Sequence, residues 1–124
     1  MNLVLVVAAG GALGSAARYL FVKAAAGLFG VGFPYGTLGV NALGSFAAGL
    51  LYVLLVERGA SAEWRGLLIV GVLGGFTTFS AFSLDTMKLL EDSGATAALA
   101  NILLNLSLSL GGCAASIWLG RQWL

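Results

Sequence analysis

Four long apolar runs joined by short connections make up nearly the whole chain, and charged residues mark most of their ends. They cover about residues 3–23, 34–56, 65–88 and 96–120. A helix of about 20 residues rises about 30 Å and so crosses the hydrocarbon core of a bilayer. The connections are too short to fold independently. The pattern predicts an all-α integral membrane protein with a single domain, residues 1–124, built from four transmembrane helices.

The composition supports this reading, since 60% of the 124 residues are hydrophobic and only 9% are charged. Soluble domains have about a quarter of their residues charged. The absence of histidine and the single cysteine, Cys113, exclude histidine-based zinc and haem sites and any intrachain disulfide. A formal net charge of +1, carried by scattered basic residues, argues against nucleic acid as a partner. We expect a multi-pass protein in contact with membrane lipid.

Small residues recur at four-residue spacing inside the runs. Gly10 with Gly14 and Gly71 with Gly75 form two such pairs, and Ser45 with Gly49 forms a third. Small residues let helix backbones approach closely in lipid, so ordinary helix packing explains them. One four-helix unit encloses little space, and so many packing surfaces also suggest an oligomer.

Basic residues are balanced between the two predicted sides of the membrane. Three fall on the N-terminal side and three on the other, namely Arg58, Arg65 and Arg121 against Arg18, Lys23 and Lys88. An excess of Lys and Arg on one side normally fixes the orientation of a membrane protein. Without an excess, the chain is expected to insert in both orientations and to pair with an inverted copy.

The third run contains the stretch from Gly74 to Ser83, which has two adjacent glycines followed by two adjacent threonines. Both pairs are poor helix formers. A break in the membrane is tolerated only beside a cavity, an ion or another chain, and freed carbonyls can bind a cation such as Na⁺. The alternative is a continuous helix whose hydroxyls bond to its own carbonyls. Composition does not decide between them.

The polar groups inside the second and fourth runs are all neutral. Asn41 follows Thr37 by one turn in the second run, and Asn101, Asn105 and Ser109 form a stripe along the fourth. Interhelical hydrogen bonding is the simpler explanation of the stripe. Neutral donors nevertheless suit a small, strongly hydrated anion that must be partly dehydrated and then released.

Aromatic rings add a second kind of anion contact. Phe79 and Phe82 lie three residues apart and share a helix face, with Ser80 and Ser83 on neighbouring faces. A ring edge is electropositive and receives an anion without a formal charge. Packing or lipid contact is the alternative role for these rings.

Three stretches resemble the Fluc (CrcB-type) fluoride channels. They are GGALGSAARY from Gly10 to Tyr19, GTLGVNALGSF from Gly36 to Phe46, and GGFTTFSAFS from Gly74 to Ser83. The resemblance covers the whole chain in length and span count, and the third stretch together with Asn41 is highly specific.

The resemblance implies an antiparallel, dual-topology homodimer with two pores that exports cytoplasmic fluoride passively across the cell inner membrane, and no enzymatic activity. It implies that Phe79 and Phe82 line the pore and that Asn41 contributes a pore amide. It implies a central structural Na⁺ held by the main-chain carbonyls of Gly74 and Thr77 from both subunits. It places Arg18 at an aqueous vestibule. Further polar steps along the pore would come from Thr37, Ser80, Ser83, Asn105 and Ser109.

The chain departs from the family pattern at several positions. Ala81 stands where a threonine is common, and Asp85 stands where a glutamate, longer by one methylene, is common. Asn101 and Asn105 stand where some members have Tyr and Ser, which leaves the pore residues of the fourth run open.

Two other functions are compatible with four apolar spans. Small multidrug exporters are also four-span dual-topology dimers, but they use a carboxylate in the first span, and here no acidic residue precedes Glu57. A non-conducting assembly subunit is the third possibility, and it would have no need of a broken third span.

Overall fold

Four long apolar helices form the protein in the computed structural model, which describes residues 2–124. Helix α1 runs from Leu3–Phe29 and helix α2 from Tyr35–Glu57. The third span, Ala62–Asp92, consists of helix α3, residues 62–76, and helix α4, Phe79–Asp92. Helix α5 covers Ala95–Trp123. All four spans are long and apolar enough to cross a membrane, as the sequence predicts, so this is a multi-pass membrane protein.

Helix α1 is longer than the sequence suggests, because it continues past Lys23 to Phe29. Ala24, Ala25 and Ala26 are strong helix formers. The helix ends at Gly30, whose φ of 78° lies in the left-handed region that favours glycine. Arg18 therefore lies about 17 Å from the end of the helix rather than close to it.

Two segments widen from α-helix to π-helix on either side of the turn between α2 and α3. They are Tyr52–Glu57 at the end of α2 and Gly66–Leu73 within α3. In a π-helix the backbone bonds join residues five apart. Gly66 and Gly71, which are five apart, are the buried residues of the second segment.

The contact between α1 and α3, here called the glycine seam, consists of Gly10, Gly14, Gly71 and Gly75. A Cβ atom added at Gly71 would lie 2.8 Å from the Cα atom of Gly10. One added at Gly75 would lie 2.6 Å from the carbonyl oxygen of Gly11. Both glycine pairs therefore pack within one chain, as the simpler explanation requires, and these residues do not themselves argue for an oligomer.

Helix α2 packs most extensively against α5. Gly49 provides the close approach, since a Cβ atom there would lie 2.6 Å from the carbonyl oxygen of Cys113 and against the hydroxyl of Ser116. One helical turn away, at Ser45, the two helices border a cavity instead.

Candidate functional site

The third span leaves the helical conformation at Thr77 and Thr78. Thr77 has φ −84° and ψ 159°, and Thr78 has φ −154° and ψ 123°, so both are extended. The hydroxyl of Thr78 then accepts a hydrogen bond from the backbone N–H of Ala81 at 3.1 Å and caps helix α4. The hydroxyl of Thr77 donates to the carbonyl of Leu73 at 2.9 Å.

The side chain of Asn41 holds this extended segment by both of its polar atoms. Its Oδ1 accepts from the N–H of Thr78 at 2.8 Å, and its Nδ2 donates to the carbonyl of Thr78 at 3.0 Å. The same Nδ2 donates to Oδ1 of Asn105 at 3.1 Å. The amide thus supplies the partners that a continuous helix would otherwise give to Thr78.

Three asparagines and a threonine continue from there as a connected series, here called the amide ladder, that consists of Asn41, Asn105, Asn101 and Thr86. Asn105 Nδ2 donates to Oδ1 of Asn101 at 3.0 Å and to its carbonyl at 2.9 Å. Asn101 Nδ2 donates to the hydroxyl of Thr86, which donates to the carbonyl of Phe82 at 2.7 Å. The two asparagines of the stripe on the fourth span are therefore bonded between helices, as the simpler explanation proposed, whereas Ser109 is not part of this series.

A cavity of about 240 Å³ lies between α2, α4 and α5 beside the extended segment. It brings together five of the predicted pore residues and Thr77, one of the two predicted carbonyl ligands, and Ser45, Thr78, Leu106 and Leu110 complete its wall. Those five are Asn41, Phe79, Phe82, Asn105 and Ser109. The wall is mainly apolar with a few convergent polar groups, as small-ligand sites usually are.

Phe79 and Phe82 meet edge to face, with ring centroids 5.4 Å apart and planes inclined by 80°. Their surroundings differ, since Phe82 is 8% exposed while Phe79 is 75% exposed. The helix face that the two rings were predicted to share is thus buried at Phe82 and exposed at Phe79.

The remaining predicted residues lie outside this cavity. The hydroxyl of Thr37 donates to Oδ2 of Asp85 at 2.7 Å, in a second cleft near the end of α4 that Lys88 also lines. Asp85 therefore reaches Thr37 despite its short side chain. Ser83 lines an adjacent apolar groove and donates to the carbonyl of Phe79, and the exposed Ser80 lies 3.4 Å from the hydroxyl of Thr78.

Arg18 and Gly74 both keep accessible surface in the single chain. Arg18 is half-exposed in the middle part of α1 and makes no ion pair with any of residues 2–124. Gly74 is exposed, and a Cβ atom added there would meet only the carbonyl oxygen of Ile69, at 3.9 Å.

Sequence reasoning missed Ser45 and Thr86 as members of this region. Ser45 follows Asn41 by four residues and so shares its face, but its spacing to Gly49 favoured a packing role. Thr86 belongs to no recognisable motif, and only the fold brings it next to Asn101.

Comparison with known proteins adds an independent line of evidence. The family described as "CrcB-like protein, Camphor Resistance (CrcB)" matches residues 5–121. A protein of Shewanella amazonensis named "Fluoride-specific ion channel FluC" is 47% identical over 122 residues, which cover 98% of this chain and 95% of that protein. A protein of Rhizobium meliloti with the same name is 50% identical over 111 residues, or 89% of each chain. One of Caulobacter vibrioides, again so named, is 54% identical over 93 residues, or 73% of each. The chain belongs to the CrcB-like protein family.

Proposed function

We propose that this protein is a fluoride channel, and not an enzyme, that exports fluoride passively across the cell inner membrane. The observation that carries the proposal is the similarity, over nearly the whole chain, to proteins named as fluoride-specific ion channels. The cavity beside the extended segment suits that role, because its polar groups are neutral and it is lined by two phenylalanine rings, whose edges are electropositive.

Individual residues take the following parts. The edges of Phe79 and Phe82 receive the ion, and Ser109 lines the same cavity. Asn41 and Asn105 shape the cavity, while Ser80, Ser83 and Thr37 are polar steps outside it. Arg18 attracts anions to an aqueous vestibule, because an unpaired charge in the middle part of a span requires water nearby.

The functional unit in this proposal is an antiparallel homodimer with two pores. A single chain leaves Phe79 75% exposed at the edge of the cavity, so the pore wall needs a further element on that side. The exposed Gly74 is likewise free to face a partner.

A structural Na⁺ on the dimer axis would be held by main-chain carbonyls of Gly74 and Thr77 from both subunits. In a continuous helix these carbonyls would accept from the N–H groups of Thr78 and Ala81. Those N–H groups donate instead to Asn41 and to the hydroxyl of Thr78. The freed carbonyls fit a hard cation, and its positive charge would offset the cost of anions in the flanking pores.

Fluoride efflux from proteoliposomes that contain the purified protein, followed with a fluoride electrode, tests the channel. We expect rapid release of fluoride and little release of chloride in a parallel experiment. Equal release of both ions, or of neither, would contradict the proposal. Release that required a proton gradient and a hydrophobic cation would favour the exporter class instead.

The two rings are tested by Phe79→Ile and Phe82→Ile, which keep an apolar side chain but remove the ring edge. We expect efflux at least about tenfold slower in both, since each removes an electrostatic contact with the ion. The exposed Phe79 should tolerate the change without loss of stability, which makes it the cleaner test. Unchanged efflux in both variants would make the rings packing residues.

Gly74→Val tests the dimer axis. Because a single chain has room for the added side chain, the folded monomer should survive while a dimer with two chains in contact at Gly74 should not. Sedimentation in detergent reports the oligomeric state, with Gly11→Val as a control at another open glycine. A Gly74→Val dimer as stable as wild type would rule out this axis.

Sodium and topology need separate measurements. We expect slower efflux and a weaker dimer when Na⁺ is replaced by a large organic cation, and equal behaviour would remove the ion from the proposal. Tags at both chain ends should be accessible from each side of the membrane, and accessibility from one side only would contradict dual topology.

A further inference from the structure

The side-chain amide hydrogens beside the two phenylalanine rings already donate to other groups of the protein. Both hydrogens of Asn41 Nδ2 go to Thr78 and Asn105, and both hydrogens of Asn105 Nδ2 go to Asn101. A primary amide has only two hydrogens to donate. Neither amide has one left for an anion in the cavity while the ladder is intact.

Ser45 and Ser109 differ from the other hydroxyls of the region. Both line the cavity, from α2 and α5 respectively, and neither hydroxyl bonds to another of residues 2–124. By contrast, the hydroxyls of Thr77, Ser83 and Thr86 all donate to carbonyls of their own span.

A hydroxyl without a partner is costly in a membrane interior, so these two groups need something in the cavity to bond to. A hydroxyl rotates freely about its C–O bond and can direct its single hydrogen toward a small ion. Ser45 also lies one turn from Asn41 on the same face of α2 and therefore close to the extended segment.

We propose that the hydroxyl of Ser45 donates a hydrogen bond to fluoride in this cavity, together with that of Ser109. This assignment rests on the proposed channel function and adds a residue whose spacing had suggested packing alone. Asn41 and Asn105 are then positioning residues, and the hydroxyls contact the ion.

Ser45→Ala separates the two roles, because alanine is smaller than serine and satisfies any need for a small residue. Fluoride efflux should be at least about tenfold slower, as the loss of one hydrogen bond to a charged group predicts. The thiol of Ser45→Cys is a weaker donor of similar size, so its efflux rate should lie between those of wild type and Ser45→Ala. Ser107→Ala is the matched control, since Ser107 is exposed on α5 and does not line the cavity.

Melting temperatures in detergent, measured for the same proteins, complete the test. Slower efflux at unchanged melting temperature supports the proposal. Wild-type efflux in Ser45→Ala overturns it, and so does slower efflux with a matching loss of stability, because that result makes Ser45 a packing residue. If wild type and Ser107→Ala both fail to release fluoride, the channel function itself fails and the role of Ser45 falls with it.

Discussion

The glycine seam and the amide ladder are two helix contacts within one chain that follow opposite principles. In the seam, Gly10, Gly14, Gly71 and Gly75 bring the backbones of α1 and α3 so close that an added methyl group finds no room. Between α2, α4 and α5, side chains keep the helices apart and bond to one another. The seam leaves no space for a ligand.

The ladder, in contrast, borders a cavity of about 240 Å³. Dispersion between closely packed backbones stabilises the seam, whereas satisfied hydrogen bonds stabilise the ladder. A chain of 124 residues thus combines one tightly packed helix contact with a second contact that borders a cavity. The three predictions below test the two contacts, starting with the largest expected effect.

Gly14→Ala should break the seam. The added Cβ atom would lie 2.9 Å from the backbone nitrogen of Phe76 and against the carbonyl oxygen of Val72, so the helices must move apart. We expect a loss of about 3 kcal/mol in the free energy of unfolding, at the upper end for overpacking. Gly11→Ala is the matched control, because nothing lies within 4 Å of its added Cβ atom. Equal stability of both variants in denaturant titrations would show that the seam is not tight.

Asn41→Ala should break the ladder at its first member. It leaves the N–H and carbonyl of Thr78 without the side-chain partners they now have, and an unsatisfied buried group costs about 1–3 kcal/mol. We expect a loss of about 2 kcal/mol in unfolding free energy and slower fluoride efflux, because the extended segment is no longer held. Asn101→Ala, which leaves the contact between Asn41 and Thr78 in place, should slow efflux less. Wild-type efflux in Asn41→Ala would separate the ladder from conduction.

Arg121→Gln should have the smallest effect. The guanidinium donates to the carboxylate of Glu57, with Nε 3.0 Å from Oε1, at the ends of α5 and α2 and away from both contacts. Exposed ion pairs contribute little to stability. We expect an unchanged melting temperature and unchanged efflux, whereas Arg18→Gln should slow efflux. A clear loss of stability in Arg121→Gln would reveal a third contact that matters.

The helices and the seam are predictable because each rests on spacing alone. Apolar runs bounded by charge locate the spans, and the four-residue spacing from Gly10 to Gly14 marks a packing face. The end of α1 is not predictable from charge, because Lys23 lies inside the helix and its long basic side chain can extend toward the membrane surface.

The chemistry of the site was only partly predictable, because hydrogen-bond partners depend on which helices become neighbours. The sequence places Asn41 in a span, but only the fold shows that both of its amide hydrogens are committed to Thr78 and Asn105. Ser45 was interpreted as a packing residue for the same reason. Its spacing to Gly49 was visible, while the cavity at its side was not.

The π-helical segment Gly66–Leu73 has a practical consequence for cysteine-scanning experiments. Positions of equal reagent accessibility are usually expected every three or four residues along a helix. In a π-helix the turn is wider, so such positions should recur every four or five residues, as the buried Gly66 and Gly71 do. A labelling profile fitted to an ordinary helical period would therefore assign the residues before Gly74 to the wrong face of α3.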